Sequence, residues 1–242
     1  MNLGITDKVA LVTASSRGLG RASAQALVDA GVKVAICGRN IDAVKATERH
    51  LASRGGSVLG IAIDVTQPDA PQRLIDEVIY TFGSLNILVA NAGGPPSARA
   101  LDVTDEGIAA AVNANLTTSI RLVRAAVPTM SEAGWGRICC ITSSSIKQPI
   151  PTLALSNLSR TGLWAWAKTA AQDLFPYGVT LNLICPGLHA TERAHELGFD
   201  LDGKSGDPSD FGQIVAFLCS QQSAYISGTA VMVDGAECVG LL

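Results

Sequence analysis

Apolar and polar residues follow two regular patterns along this chain, one typical of buried strands and one typical of helices. Short aliphatic runs predict seven strands, at residues 8–13, 33–37, 57–63, 86–90, 137–142, 179–184 and 229–234. Helical spacing predicts helices between them, one ending before Gly31 and others over 41–53, 68–82 and a long region at 104–131. Another helix is predicted to begin at Asp207-Pro208, since Asp caps helix N-termini and Pro is tolerated in the first turn.

The order of these elements predicts the fold class. Strands that are apolar along their whole length are buried on both faces, which is typical of a parallel sheet covered by helices. No linker rich in proline or glycine divides the chain, and no internal repeat is visible. The pattern therefore predicts an α/β fold, a single doubly wound Rossmann-type domain over residues 1–242 with a seven-stranded parallel sheet.

Composition and charge argue against several classes of protein. Apolar residues make up 48% of the chain and charged residues 16%, as in a globular protein with a deep core rather than a disordered one. The net charge of −3 and the lack of a basic tail argue against nucleic acid as a partner. Because we find neither a signal peptide nor an apolar run near the roughly 20 residues of a spanning helix, we expect no membrane partner and a cytoplasmic location.

The six cysteines and three histidines do not have the spacing of a metal site. There is no C-x-x-C motif, and most of the cysteines lie inside apolar runs. In a reducing compartment such residues are small buried hydrophobic groups more often than ligands or disulfides. We therefore expect no metal cofactor.

The sequence TASSRGLG, residues 13–20, joins the first predicted strand to the first predicted helix. Small residues let the backbone approach a pyrophosphate, and a helix N-terminus offers free N–H donors to it. An ordinary strand–helix turn is the other interpretation, because Ala14 stands where a dinucleotide loop would carry a glycine. The position between strand and helix favours a dinucleotide site.

Two arginines indicate which dinucleotide would bind. Arg39 follows the second strand, where the ribose of the coenzyme would lie, and Arg17 lies within the turn. An acidic residue at the position of Arg39 would accept a hydrogen bond from the ribose 2′-hydroxyl of NAD(H), whereas a guanidinium there suits the 2′-phosphate of NADP(H). The charges therefore favour NADP(H) over NAD(H) as the cofactor.

Further motifs, in the same order over almost the whole chain, resemble those of the short-chain dehydrogenase/reductase family. TASSRGLG resembles that family's TGxxxGxG loop, and Asp64-Val65 resembles the pair beside the adenine. Asn91-Ala92-Gly93 resembles the NAG motif beneath the cofactor. NLICPGLHAT (182–191) resembles the N…PGxxxT segment that lines the nicotinamide pocket, and residues 225–236 resemble the closing strand.

The resemblance and the two arginines together imply a cofactor-binding set. Its members are Thr13, Ser15, Ser16, Arg17, Gly18, Leu19, Gly20, Arg39, Asp64, Val65, Asn91, Ala92, Gly93, Arg160, Pro186, Gly187 and Thr191. The resemblance also implies a small-molecule substrate and a homodimer or homotetramer.

The resemblance implies an active site in which two family residues are replaced. In that family a serine after the fifth strand positions the substrate, a tyrosine thirteen residues later is the general acid/base, and a lysine four residues further binds the nicotinamide ribose and lowers the tyrosine pKa. Ser143 matches the serine, and Asn115, at 143 − 115 = 28 residues before it, matches an asparagine that supports a water relay. Ser156 and Arg160 occupy the tyrosine and lysine positions. The implied catalytic set is Ser143, Asn115, Ser156 and Arg160.

These replacements leave two functions open. Serine is a far weaker acid than tyrosine and arginine stays protonated, so the general acid is lost, a change that typically slows a reaction about 10²–10⁴-fold. Our leading hypothesis is hydride transfer between NADP(H) and a small carbonyl, imine or enone, with Arg160 holding the ribose or an oxyanion. A non-catalytic dinucleotide-binding protein, regulatory or scaffolding, is the alternative.

One histidine could compensate for the missing acid. His189 follows Pro186-Gly187 and would donate a proton near neutral pH if it leaned over the nicotinamide. The other interpretation is a solvated loop histidine. The segment over 191–206 also looks short for the family's substrate loop, which indicates an open or weakly covered pocket.

Overall fold

The computed structural model describes residues 2–196, 198, 201 and 205–240 of the chain. Seven parallel strands form one sheet in the order β3-β2-β1-β4-β5-β6-β7. Their bounds are β1 (Val9–Val12), β2 (Lys33–Gly38), β3 (Val58–Ala62), β4 (Ile87–Ala90), β5 (Gly136–Ile141), β6 (Val179–Pro186) and β7 (Ala230–Val233). The seven-stranded parallel sheet of the prediction is confirmed, and the strand ends shift by one or two residues.

Helices connect the strands and cover both faces of the sheet. Their bounds are α1 (Gly18–Asp29), α2 (Ile41–Ala52), α3 (Ala70–Phe82), α4 (Asp105–Val112), α5 (Thr118–Glu132), α6 (Ala154–Leu174), α7 (Glu192–Glu196) and α8 (Pro208–Leu218). Strand β1 shows why two layers form, because Val9 and Leu11 face the core under α3, α5 and α6 while Ala10 and Val12 face the core under α1, α2 and α8. The doubly wound fold of the prediction is therefore confirmed.

The long helical region predicted at 104–131 contains a change of helix type. A π-helical turn, Asn113–Thr117, separates α4 from α5, and the Thr118 hydroxyl donates to the Asn113 carbonyl at 2.8 Å. Single π-helical turns within α-helices occur frequently at functional sites. Asn115 lies in this turn, and its side chain is buried.

Helix α8 begins as its cap predicts. The Asp207 carboxylate accepts from the Ser209 N–H at 2.7 Å, and Pro208 occupies the first turn. Further along, Gly212 packs on α1 so closely that a Cβ there would lie 2.4 Å from the carbonyl oxygen of Ala22. This contact sets how tightly α8 holds α1 against the sheet.

The strand order reverses between β1 and β4. Strand β1 pairs with β2 on one side and with β4 on the other, so the connections from these strands leave toward opposite faces. In open parallel sheets such a reversal opens a crevice at the carboxyl ends of the strands, where ligands bind. The predicted cofactor-binding turn begins at this place, directly after β1.

We expect Gly212→Ala to destabilise the fold, because the added methyl group forces α1 and α8 apart. Such overpacking costs about 1–3 kcal/mol of the free energy of unfolding. Urea denaturation followed by circular dichroism measures the difference. A variant as stable as the natural chain would show that the two helices do not depend on this close approach.

Candidate functional site

The crevice is held by reciprocal hydrogen bonds between the ends of β1 and β4. The Thr13 hydroxyl donates to the Asn91 carbonyl at 2.7 Å and accepts from the Asn91 N–H at 2.9 Å. The Asn91 side-chain amide donates to the Ala14 carbonyl at 3.0 Å. Two residues that the sequence assigned to cofactor binding thus fix the floor of the crevice and the path of the turn.

Gly20 lets α1 approach this floor. A Cβ at residue 20 would lie 2.6 Å from the Ala14 carbonyl oxygen and 2.7 Å from Asn91 Nδ2, distances that real Cβ atoms do not tolerate. The last glycine of a dinucleotide loop has this role, the close packing of the helix against its strand. The residues present therefore fit a dinucleotide at this turn.

Ala14 departs from the expected glycine but adopts the conformation that a glycine would have. Its φ of 46° lies in the left-handed region. For a residue with a Cβ that conformation costs roughly 1–2 kcal/mol. The turn therefore keeps the shape of a dinucleotide loop although Ala14 replaces the glycine. The hydrogen bond from the Asn91 side chain to the Ala14 carbonyl helps to hold this conformation.

The first N–H groups of α1 are uncapped, although the Glu192 carboxylate lies beside Gly18. Its N-cap is Arg17, whose side chain has no acceptor atom, and no side chain in the described part of the chain caps the helix. The first-turn N–H groups, those of Gly18, Leu19 and Gly20, have no partner within the helix. Such N–H groups together with the helix dipole favour a phosphate.

Arg17 and Arg39 flank this helix end. A Cβ at Gly38 would lie 3.1 Å from the Ser16 hydroxyl oxygen, so the turn and the end of β2 are in contact. Arg17 is the next residue after Ser16, and Arg39 is the next residue after Gly38. Both arginine residues lie at the surface. The Ser15 hydroxyl, in contrast, is bound to the strand backbone, since it donates to the Val12 carbonyl at 2.6 Å. The arginines are thus placed for a ligand, and Ser15 shapes the turn.

Asp64 and Val65 follow β3 at the same edge of the sheet. The Asp64 carboxylate accepts from the Thr66 N–H at 3.0 Å and from the Thr66 hydroxyl at 2.8 Å. The hydrogen bond from the Thr66 backbone lowers the pKa of Asp64, and the charge of Arg39 lowers it further. Val65 is buried in the core. Asp64 is therefore a charged group beside Arg39, as a residue at the rim of an adenine pocket would be.

Ser143 and Ser156 lie at the end of β5 and the start of α6. Ser143 caps a short 3₁₀ turn (Ser144–Ile146), with its hydroxyl accepting from the Ser145 N–H at 3.1 Å, and is half-buried. Ser156 is buried in the first turn of α6. Since the Ser143 hydroxyl only accepts in that bond, its proton is available to a substrate oxygen.

Arg160 makes a contact that the sequence does not predict. Its Nη1 donates to the Ile141 carbonyl at 2.9 Å and to the Thr142 carbonyl at 3.1 Å, both directly before Ser143. No carboxylate in the described part of the chain pairs with it. Burial in this apolar setting lowers the pKa of Arg160 to about 10. The guanidinium thus braces the strand end that carries Ser143, although the sequence assigned it to a ribose or an oxyanion.

Asn115 contributes a buried acceptor. Its side-chain oxygen has no hydrogen-bond partner among the described residues, and its amide nitrogen makes only a long contact of 3.4 Å to the Ala111 carbonyl. A buried amide oxygen without a partner is costly and commonly binds an ordered water. This arrangement fits the water-holding role that the family resemblance implies.

The segment after β6 forms the opposite wall. The Gly187 N–H donates to the Val233 carbonyl at 3.0 Å, and a Cβ at residue 187 would lie 2.8 Å from Asp234, so Pro186-Gly187 is fixed against the end of β7. Thr191 is half-buried at the start of α7, and its hydroxyl accepts from the Ala194 N–H at 3.3 Å. Part of the predicted short loop over 191–206 lies outside the described residues, at 197, 199–200 and 202–204.

His189 is neither over the crevice nor solvated. Its ring packs edge-on against Phe211, with centroids 5.2 Å apart, and its Nδ1 lies 3.1 Å from the Gly187 carbonyl oxygen. The side chain is 5% exposed. Both interpretations made from the sequence, the proton donor and the solvated residue, are therefore replaced by a packing role.

Helix α7 brings charged residues to the turn between β1 and α1. The sequence analysis did not predict that these residues lie there. Glu196 pairs with Arg17, and Glu192 lies 3.4 Å from Arg21 on α1. Arg193 donates to the Pro95 carbonyl at 3.1 Å and thereby joins α7 to the loop after Asn91-Ala92-Gly93. The spacing of Glu192 and Glu196 in the sequence indicates a negatively charged helix face, because residues four apart share one face of a helix.

Other chemistry is not evident in the described part of the chain. No group of three or more candidate metal ligands occurs there. Burial raises the pKa of the Cys37 and Cys140 thiols to about 12 and that of Cys185 to about 11, so these are inert thiols. Of the helices described, none combines the length and the hydrophobicity needed to span a bilayer.

We expect Arg160→Met to lower the free energy of unfolding by about 1–3 kcal/mol, because the carbonyls of Ile141 and Thr142 lose a charged donor. The exposed Arg124→Met is the control and should stay within about 0.5 kcal/mol. Urea denaturation of both variants measures this. A variant at residue 160 that is as stable as the natural chain, or more so, would contradict the bracing role.

Known proteins resemble this chain over its length. The family model described as Enoyl-(Acyl carrier protein) reductase matches residues 13–236. Dehydrogenase/reductase SDR family member 4 of Sus scrofa is 32% identical over 243 residues, covering 96% of this chain and 87% of that protein. L-rhamnose 1-dehydrogenase (NAD(P)(+)) of Azotobacter vinelandii is 31% identical over 254 residues, covering 98% and 99%.

A solved structure agrees with the fold. L-sorbose reductase from Gluconobacter frateurii, complexed with NADPH and L-sorbose, superposes with a TM-score of 0.93 at 29% identity and covers 100% of both chains. The shared motifs, the strand order and these matches lead to one conclusion. The chain belongs to the short-chain dehydrogenase/reductase family.

Proposed function

We propose that this chain is an NADP(H)-dependent oxidoreductase with an atypical active site, acting on a small carbonyl, imine or enone. Residues 1–242 would serve as one nucleotide-binding domain. The observation that carries the proposal is the uncapped N-terminus of α1, flanked by Arg17 and Arg39 at the β1–β4 crevice. The complex of L-sorbose reductase with NADPH supports the choice of cofactor.

The cofactor would be held by residues along this edge of the sheet. The N–H groups at the start of α1 receive the pyrophosphate, and the guanidinium groups of Arg17 and Arg39 receive the 2′-phosphate. Asp64 and Val65 border the adenine, and Asn91-Ala92-Gly93 lies beneath the middle of the molecule. Pro186, Gly187 and Thr191 border the nicotinamide. When bound, NADP(H) supplies or accepts the hydride.

The remaining chemistry falls to the residues at the end of β5 and the start of α6. Ser143 donates a hydrogen bond to the reacting oxygen or nitrogen, and Arg160 keeps Ser143 in place from below. Asn115 holds a water through its buried amide oxygen. Arg160 also puts a positive charge under the reacting atom, which stabilises negative charge that develops there.

The replacement of a phenol by Ser156 determines which substrates are suitable. A serine hydroxyl cannot act as an efficient general acid near neutral pH. Iminium ions and activated enones accept a hydride without a strong acid, and simple carbonyls would take the proton from water.

The alternative, a non-catalytic nucleotide-binding protein, is motivated by the same replacement. The relatives are named as dehydrogenases and reductases, so the comparisons do not favour it. Turnover of NADPH with panels of ketones, imines and enones tests the two functions. Activity of the natural chain on any panel supports the oxidoreductase.

A restored active site completes the test. The double variant Ser156→Tyr, Arg160→Lys recreates the family's acid and ribose-binding pair. If the natural chain reduces no substrate of any panel, and the double variant reduces one that the natural chain binds, the natural chain is non-catalytic. If the natural chain is active and the double variant is slower on the same imine or enone, the native pair is adapted to substrates that need no acid.

We expect Ser143→Ala to lower kcat by about 10²–10³-fold, as the removal of one donor to a developing negative charge does elsewhere. Ser156→Ala is the matched control, and we expect it to change kcat less than about tenfold, because a serine hydroxyl contributes little as an acid. Steady-state kinetics on one active substrate measures both values. Equal losses in the two variants would contradict the assignment of Ser143 as the principal donor.

Assembly and location complete the proposal. We propose a homodimer or homotetramer by family resemblance, which light scattering of the purified chain checks. A cytoplasmic location agrees with five buried cysteines that are free thiols, as a reducing compartment maintains them. Fractionation of cells that express the chain checks the location.

A further inference from the structure

Arg17 is already engaged by a carboxylate of its own chain. Its Nη1 donates to Glu196 Oε1 and its Nη2 lies 3.5 Å from Glu196 Oε2, so the carboxylate takes both ends of the guanidinium fork. The hydrogen bond from Arg17 lowers the pKa of Glu196, which is therefore charged near neutral pH, and the charge of Arg193 lowers it further. Glu196 thus binds Arg17 in the way an anionic ligand would.

A carboxylate and a phosphate use the same donors of an arginine. Each binds the fork through two parallel N–H···O bonds, and one N–H cannot serve both at full strength. The 2′-phosphate that the proposed function assigns to Arg17 must therefore displace Glu196 or share the guanidinium with it. NAD(H) carries a hydroxyl at that place and has no need to displace the carboxylate.

We propose that Glu196 is a specificity-determining residue that reduces the preference of this chain for NADP(H) over NAD(H) by occupying Arg17. This inference rests on the proposed function, in which Arg17 receives the 2′-phosphate. Glu196 is the last residue of α7, the helix that also places Glu192 beside Arg21.

The exposure of the pair limits the size of the effect. The side chains of Arg17 and Glu196 are 56% and 45% exposed, and exposed ion pairs shift an equilibrium by about fivefold at most. Glu196 therefore moderates the binding of NADP(H) and does not abolish it. High salt weakens the contribution further, because exposed charges are screened.

The chain contains a matched control for this effect. Glu192 lies on the same short helix, pairs with Arg21 at 3.4 Å, and is also 45% exposed. Arg21 lies one turn further along α1 than Arg17, so Glu192→Gln removes the same charge from α7 without releasing the guanidinium at the helix end. The Glu192 carboxylate also lies beside Gly18, with its Oε2 3.9 Å from the place of a Cβ at residue 18, so its removal changes the charge near the pyrophosphate that both nucleotides carry. A general electrostatic effect of α7 therefore changes NADPH and NADH binding alike, whereas the release of Arg17 by Glu196→Gln changes the ratio of the two affinities.

The test is a double-mutant cycle on nucleotide affinity. NADPH and NADH are titrated, with calorimetry as the readout, into the natural chain, Glu196→Gln, Glu192→Gln, Arg17→Ala and the double variant Arg17→Ala, Glu196→Gln. We expect Glu196→Gln to tighten NADPH about two- to fivefold, with NADH changing much less. In the Arg17→Ala background the Glu196→Gln change should have no effect on either nucleotide.

Three results would overturn the inference. NADPH binding that weakens or stays unchanged in Glu196→Gln is the first. Equal changes of the NADPH-to-NADH affinity ratio in Glu196→Gln and Glu192→Gln are the second. An effect that persists without Arg17 would show that Glu196 acts elsewhere. In each of these cases the natural chain still binds NADPH, so the proposed function stands. If the natural chain binds neither nucleotide, the proposed function fails and the inference falls with it.

Discussion

The functional region depends on the junction between the ends of β1 and β4. Thr13 and Asn91 exchange two hydrogen bonds across it, and the Asn91 side chain fixes the Ala14 carbonyl. Gly20 packs against the same two groups, so the start of α1 cannot move away without breaking this contact. The junction therefore sets the position of the N-terminus of α1, where Arg17 is the N-cap.

A second constraint lies at the end of β5, directly before Ser143. A family site normally places a lysine where this chain has Arg160, and the longer, planar guanidinium reaches the carbonyls at the end of β5. That interaction braces the strand end that carries Ser143. In the proposed site the efficient proton donor is missing for another reason, because Ser156 stands at the tyrosine position. The proposed function therefore joins a nucleotide-binding crevice typical of the family with an active site in which the substrate needs little help from an acid.

Much of this could be predicted from the sequence, for identifiable reasons. The seven strands follow from apolar runs that must be buried on both faces, and the α8 cap follows from Asp207-Pro208. The partner of Arg160 could not be predicted, because a buried cation bonded only to carbonyls leaves no pattern of opposite charge along the chain. The packing of His189 on Phe211 could not be predicted either, because it depends on how residues far apart in sequence meet. The spacing of Glu192 and Glu196 indicates a charged face on α7, but which residues that face meets depends on the folded positions of α7 and of Arg17, the N-cap of α1.

The central claim is that this crevice binds NADP(H) with its 2′-phosphate on guanidinium. Calorimetric titration of NADPH and NADH into the natural chain and into Arg39→Ala tests it most directly, because Arg39 has no other assigned role. We expect saturable binding of one NADPH per chain, and a loss of affinity in Arg39→Ala that is larger for NADPH than for NADH. Absence of saturable binding of either nucleotide to the natural chain, or an equal effect of Arg39→Ala on both, would contradict it.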